Sequence, residues 1–169
     1  MKQIFNLSAL LLALCFTFAS CQKDYDSTPD VTEPITDNPL KGNFTCKING
    51  DLFIGEQKSA KVTEVNGVKT LTVTATRYGA ERTTSDYQTV SIGISNYNGN
   101  AKYPISGTTQ IIYSIVVNNA TTTFTSSITN PNFYVTTTGN YVGTFNATVA
   151  EVGNTSNKAV LTEGKFDIQ

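Results

Sequence analysis

The sequence predicts an all-β domain: an antiparallel β-sandwich of about nine or ten strands, or alternatively a partly closed β-barrel. Three observations carry this. From Asn43 onward, apolar and polar residues alternate with period two, and helical spacing is hard to find. Asn- and Gly-containing pairs separate the alternating runs, as hairpin turns require. The chain is only 39% hydrophobic, yet its 9 Phe and 8 Tyr argue against disorder. Thr, Ser, Asn and Gly replace the missing bulk, which suits half-exposed sheets with many turns.

Residues 1–20 read as a leader. Lys2 supplies a positive charge, an apolar run spans residues 7–18, and Ala19-Ser20 precede Cys21. The run is too short to span a bilayer and fits a secretory signal peptide. An ordinary signal peptide would leave a soluble secreted protein, but Phe18 stands where that cleavage favours a small side chain. Phe18-Ala19-Ser20-Cys21 resembles a lipobox, with Phe18 in place of the commoner Leu, Val or Ile. The resemblance implies lipidation of Cys21: its thiol takes a diacylglyceryl group and the new N-terminus is acylated. Each buried methylene contributes roughly 0.8 kcal/mol to membrane partition, so several chains on one residue anchor durably.

Removing 20 of the 169 residues leaves 149, enough for one domain with a substantial core. Residues 21–42 read as the lipidated cysteine and a tether. Pro29, Pro34 and Pro39 recur every five residues among few apolar side chains. The reach is roughly 60 Å if fully extended and about 25 Å as a flexible coil. Gln22-Lys23-Asp24-Tyr25-Asp26 resembles the lysine-plus-acid signal that sends Bacteroidota lipoproteins to the outer face of the outer membrane, with Tyr25 interrupting the acids. The alternative address is a periplasm-facing position. Asp26-Ser27-Thr28 resembles an O-glycosylation sequon of the same phylum, with Ser27 as acceptor.

The folded domain is expected over residues 43–169. Phe44, Cys46 and Ile48 share one face of a first strand, which Asn49-Gly50-Asp51 turns into residues 52–54. Residues 61–65 and 68–76 flank Asn66-Gly67, a pair that tolerates the positive φ of a type I′ turn. In the return strand Leu71, Val73 and Ala75 should meet the core, and Thr70, Thr72 and Thr74 water. Residues 78–86 are polar and read as a mobile loop. Val90, Ile92 and Ile94 alternate in the next strand, ended by residues 96–100. Tyr103-Pro104-Ile105 begins an extended piece that proline places at an edge. Residues 111–117 are a denser run, turned by Asn118-Asn119 into residues 121–128. Residues 133–137, 141–149 and 159–168 complete the set.

Gly143-Thr144-Phe145, the C-terminal Thr162-Glu163-Gly164-Lys165-Phe166-Asp167-Ile168, the opening strand running into Ile48-Asn49-Gly50, and residues 103–105 together resemble an uncharacterised Bacteroidota outer-membrane lipoprotein family of unknown function. The resemblance covers residues 43–169. It implies the lipoprotein address and the β architecture, and no catalytic residue. Its glycines are expected to serve turns, and Phe145 and Phe166 to pack in the core.

The absence of histidine removes Ser-His-Asp and Cys-His catalysis and the commonest zinc ligand. Cys46 is the one cysteine in the folded part, so no internal disulfide is expected, and it reads as a small buried hydrophobe. Glu56, Glu64, Glu81, Asp86, Glu151, Glu163 and Asp167 are scattered and read as solvated charge. Asn49-Gly50-Asp51 lacks the further acids of a calcium loop. No cofactor and no metal site is expected. Net charge is −1, moving to −2 without Lys2, and no basic patch suggests nucleic acid. Tyr97, Tyr103, Tyr113, Tyr134 and Tyr141 are the candidate binding aromatics, because tyrosine is favoured where a surface meets a partner. The expected function is non-enzymatic: a lipid-anchored cell-envelope domain that binds a ligand or partner, an envelope protein or a glycan. The alternatives are a structural accessory subunit of an outer-membrane assembly and, more remotely, a two-carboxylate hydrolase.

Overall fold

The computed structural model describes residues 42–126, 130–139 and 141–168, with the side chains of 130 and 131 excepted. The leader, Cys21, the Gln22, Lys23, Asp24 and Asp26 signal, Ser27, the proline-spaced tether to residue 41 and the expected strand end at Ile128 lie outside the described residues.

Three two-residue turns set the local frame. Asn49-Gly50 (φ 52° and 94°) joins β1 (Gly42–Ile48) to β2 (Asp51–Ile54). Asn66-Gly67 (52° and 79°) joins β3 (Gln57–Val65) to β4 (Val68–Tyr78). Asn118-Asn119 (50° and 64°) joins β7 (Thr109–Val117) to β8 (Ala120–Thr125). Positive φ at both central positions marks the type I′ turn, whose twist matches that of paired strands. The Asn49 side chain is also used: its Oδ1 accepts the Val160 N–H at 2.8 Å. The remaining strands are β5 (Asp86–Ser95), β6 (Lys102–Ile105), β9 (Asn130–Gly139), β10 (Val142–Glu151) and β11 (Asn154–Ile168).

The fold is all-β and antiparallel, with eleven strands among the described residues rather than nine or ten. Strand order is β2-β1-β11-β10-β8-β7-β5-β4-β3, with β9 on β10 and β6 on β9. The sheet does not close into a barrel. β10 belongs to two neighbourhoods. Its first half pairs with β9 and its last residues, Ala150 and Glu151, pair with β8. The strands on either side of it form two wings whose inward side chains share one core. Phe44, Phe53, Leu161 and Phe166 come from one wing, and Leu71, Val73, Ile92 and Ile111 from the other. Leu71, Val73 and Ala75 are fully buried and Thr72 is exposed, as the alternation predicts. β6 pairs with β9 alone, so Pro104 sits on an edge strand, where its missing N–H breaks no ladder.

Two expectations need correction. The C-terminal motif glycines are not turn residues; both lie within strands. Gly143 stands opposite Phe166, and Phe145 opposite Gly164. A Cβ on Gly164 would lie 2.6 Å from the Phe145 ring, and one on Gly143 would lie 2.5 Å from the Phe166 ring. Each glycine therefore makes room for the aromatic ring across from it, the arrangement that offsets a glycine's lack of side chain in a sheet. A bulge in β11 sets this register. The pairing shifts between Phe145 and Ala147, and again between Thr45 and Lys47, and Glu163 takes φ 53° there. Lys47 Nζ holds the Glu163 carboxylate at 2.7 Å.

The polar stretch before β5 is also tied down rather than free. Arg82 pairs with Glu56 at 2.7 Å and lies over the Tyr78 ring, and the Gly79 N–H donates to the Asp86 carbonyl at 2.9 Å. Arg77 of β4 joins the wings. Its Nη1 donates to the Leu52 carbonyl at 2.7 Å, Nη2 to Gln88 Oε1 at 2.9 Å, and its guanidinium lies over the Phe53 ring. Lys47 and Leu52 face each other one step from the hairpin's closing pair, so the Leu52 carbonyl points away from β1. Arg77 therefore caps an acceptor on the sheet's edge.

Candidate functional site

The site lies where the β3–β4 turn, the β5–β6 connection and the start of β10 meet. The chain leaves β5 through Asn96 (φ 58°), and the Tyr97 N–H then donates to the Lys69 carbonyl at 2.9 Å, fixing the connection against β4. The Tyr97 ring stacks on Tyr103 of β6, centroids 5.9 Å apart at 29°. Tyr103 is only 9% exposed. Its hydroxyl donates to the Gly99 carbonyl at 2.8 Å and accepts the Asn98 N–H at 2.9 Å. Buried Thr137 of β9 closes the network: its Oγ1 donates to the Gly99 carbonyl at 2.5 Å and accepts the Ala101 N–H at 3.2 Å. A buried hydroxyl must find partners, and here they are the loop's own backbone groups.

Tyr141 completes the site from the β9–β10 connection, with φ 61°. Tyr97, Tyr141, Val62, Lys69, Asn98 and Gly99 line an open cleft of about 470 Å³, within the size range of small-ligand sites. Burial pushes the Tyr97 hydroxyl pKa up; the nearby Tyr103 and Tyr141 hydroxyls reinforce this and hydrogen bonding with Thr137 opposes it. The Tyr97 phenol thus stays a neutral donor–acceptor at physiological pH. Lys69 is the one charged side chain among the described lining residues, and Glu64 stands opposite it across the β3–β4 pair. The first described residue, Gly42, is at this end of the sheet as well. It pairs with Ile168, whose N–H donates to the Tyr141 carbonyl at 3.1 Å.

Of the five candidate tyrosines, the structure brings together Tyr97, Tyr103 and Tyr141. Tyr113 belongs to the interior. It is 5% exposed, stacks on Phe124 at 5.6 Å and donates its hydroxyl to Gln88 Oε1 at 3.1 Å. Burial raises its pKa, with Arg77 opposing and Cys46 reinforcing. Tyr134 lies elsewhere, over a hollow of about 220 Å³ beside Asn146 and Glu163, with Lys102 Nζ 3.5 Å above its ring. Lys69, Asn98 and Thr137 escaped the sequence reading. One signal was present: Tyr97 sits inside Asn96-Tyr97-Asn98-Gly99-Asn100, where a turn alone has no use for an aromatic ring.

Among the described residues the buried polar side chains are Thr109, Ser126 and Thr137, and none is a carboxylate. Glu56 and Glu163 are ion-paired, and Glu151 accepts from Asn157 Nδ2 at 2.7 Å. No group of three metal-ligating acids or cysteines forms among the described residues. Cys46 is buried, and burial pushes its thiol pKa from 9.0 up to about 12, with Arg77 pulling the other way. A thiol so protonated is a poor nucleophile. No helix among the described residues is long and apolar enough to cross a membrane. No family model, curated protein or solved structure matches the chain.

Proposed function

We propose that this protein is a lipid-anchored domain of the cell envelope that binds a ligand or partner, without catalysis, through the Tyr97–Tyr103–Tyr141 cleft. The observation that carries this reading is the convergence of Tyr97 and Tyr141, from two separate connections, onto one cleft that the buried Tyr103 of β6 braces. A platform whose rings and loop are already held by hydrogen bonds loses little freedom on binding, which favours affinity. The lipobox-like leader, Cys21 and the residues after it support an outer-membrane anchor that faces the cell surface, with a periplasm-facing position as the alternative.

The test is a crosslinked pull-down from intact cells with the wild-type chain and Tyr97→Ala. The proposal expects a captured component that the substitution removes. Equal capture by both proteins would refute a role for the cleft. A structural role in an outer-membrane assembly is the second reading. Leu52 and Ile54, 57% and 52% exposed on edge strand β2, favour it. It predicts capture that depends on these two residues and not on Tyr97.

A further inference from the structure

We infer that the cleft takes carbohydrate, specifically one or two uncharged sugar rings of a longer glycan; this rests on the cleft being the binding site. Three observations lead there. First, three backbone donors where β5 runs into the β5–β6 connection are already used. The Ser95 N–H is held by Thr108, that of Tyr97 by Lys69 and that of Asn98 by the Tyr103 hydroxyl. An extended peptide pairing with the main chain would find no free ladder on this connection. Recognition falls to ring faces and side-chain polar groups: the Tyr97 and Tyr141 rings, their hydroxyls, the Asn98 amide and Lys69. A pyranose presents that complement, with C–H faces to lay on an aromatic ring and equatorial hydroxyls to meet amide and phenol groups.

Second, the cleft is sparsely charged. Lys69 is the one charged side chain among the described lining residues, and Glu64 stands opposite it across the strand pair, so the cleft holds no cluster of positive charge to select a polyanion. Third, Tyr141 holds a left-handed backbone conformation that a bulky residue adopts only at a cost and that glycine or asparagine would take with less strain. A tyrosine kept at the mouth despite that strain fits a side chain needed there for contact.

The experiment is native-gel retardation of the full-length chain, in mild detergent, by soluble neutral polysaccharides (a glucan, a mannan and a xylan) and by polygalacturonate. The inference expects retardation by at least one neutral polymer. Tyr97→Ala and Tyr141→Gly should weaken it at least tenfold, and Tyr134→Ala, outside the cleft, should leave it unchanged. Tyr141→Gly relieves the strained φ, so it should melt within a few degrees of wild type, which separates lost binding from lost folding. No retardation by any neutral polymer, retardation by polygalacturonate alone, or retardation indifferent to Tyr97→Ala would each overturn the inference. A Tyr97-dependent protein partner in the pull-down, with no polysaccharide bound, would leave the cleft's role standing and remove the sugar.

Discussion

Replacing Phe145 by alanine, alone and together with Gly164→Ala, probes the pairing that organises the C-terminal half of the sheet. The Phe145 ring is buried, 5.4 Å from the Phe44 ring, and lies over Gly164. An aromatic side chain burying ~150 Å² at roughly 25 cal/mol/Å² contributes about 4 kcal/mol, part of which the remaining Cβ retains. The cavity left behind adds to the loss, which brings the expected cost to about 3–5 kcal/mol. With an m-value near ~2 kcal/mol/M, the urea midpoint should fall by roughly 2 M. Gly164→Ala works in the opposite sense, by excess volume. The new Cβ would meet the Phe145 ring and the Phe145 carbonyl oxygen, each at 2.6 Å. Overpacking of this kind costs about 1–3 kcal/mol, against a few tenths to 1 kcal/mol regained because alanine is the better strand residue. Without the Phe145 ring, the ring overlap disappears and only the carbonyl contact remains. The double mutant should therefore be more stable than the sum of the single changes predicts, by about 0.5–3 kcal/mol. Urea unfolding of all four proteins measures this coupling. Additivity within about 0.5 kcal/mol, or a Phe145→Ala loss below about 1 kcal/mol, would refute the ring-on-glycine pairing.

Other consequences are open to direct measurement. Arg77→Leu leaves the Leu52 carbonyl without its cap and should cost about 1–3 kcal/mol; Arg77→Lys should recover only part of it, since an ammonium cannot reproduce the two-armed fork, and wild-type stability in either variant would contradict the clamp. With Cys15→Ser and Cys21→Ser in place, Cys46 should resist thiol reagents at neutral pH until the chain is unfolded; rapid labelling of the native protein would show that the thiol is not buried. The same thiol carries a pH signature. Above pH 9 the unfolded thiol ionises while the folded one stays protonated, so the unfolded state binds fewer protons and stability is lost as pH rises from 9.0 towards about 12. Cys46→Ala should make that decline shallower, and an unchanged slope would exclude Cys46 as its source. Cys21→Ala should release the protein from membranes and abolish lipid labelling, whereas unchanged membrane association would defeat the anchor. Protease shaving of intact cells should digest the domain if it faces outward, and complete protection beside a digested surface control would place it inside.

Local features were legible in the sequence and long-range ones were not. Asn49-Gly50, Asn66-Gly67 and Asn118-Asn119 announce hairpins because the φ values they need are a property of two residues. The alternation of Leu71, Val73 and Ala75 shows which face is buried for the same local reason. The sequence pattern starts this strand at Lys61, whereas β3 begins at Gln57, because Gln57-Lys58-Ser59-Ala60 has little hydrophobic contrast to announce a strand. Nothing local tells that the first strand pairs with the last, or that Gly164 lies beneath Phe145 and Gly143 beneath Phe166. Those facts depend on a register set by the bulge at Glu163. The same limit applies at the site. Tyr113 stands in an apolar run and Tyr97 in an Asn- and Gly-rich turn, which separates core from loop, but only tertiary packing brings Tyr97 and Tyr141 to one cleft. Lys69 and Thr137 join that cleft from strands far apart in the chain.

Site-specific photocrosslinking on intact cells tests the central claim most directly. A photoreactive residue placed at Asn98, in the cleft, should yield an adduct that the Tyr97→Ala background removes. The same residue at Thr72, exposed on the outer face of β4, should yield none. No adduct at position 98, an equal adduct at position 72, or an adduct that survives Tyr97→Ala would contradict a binding role for the cleft.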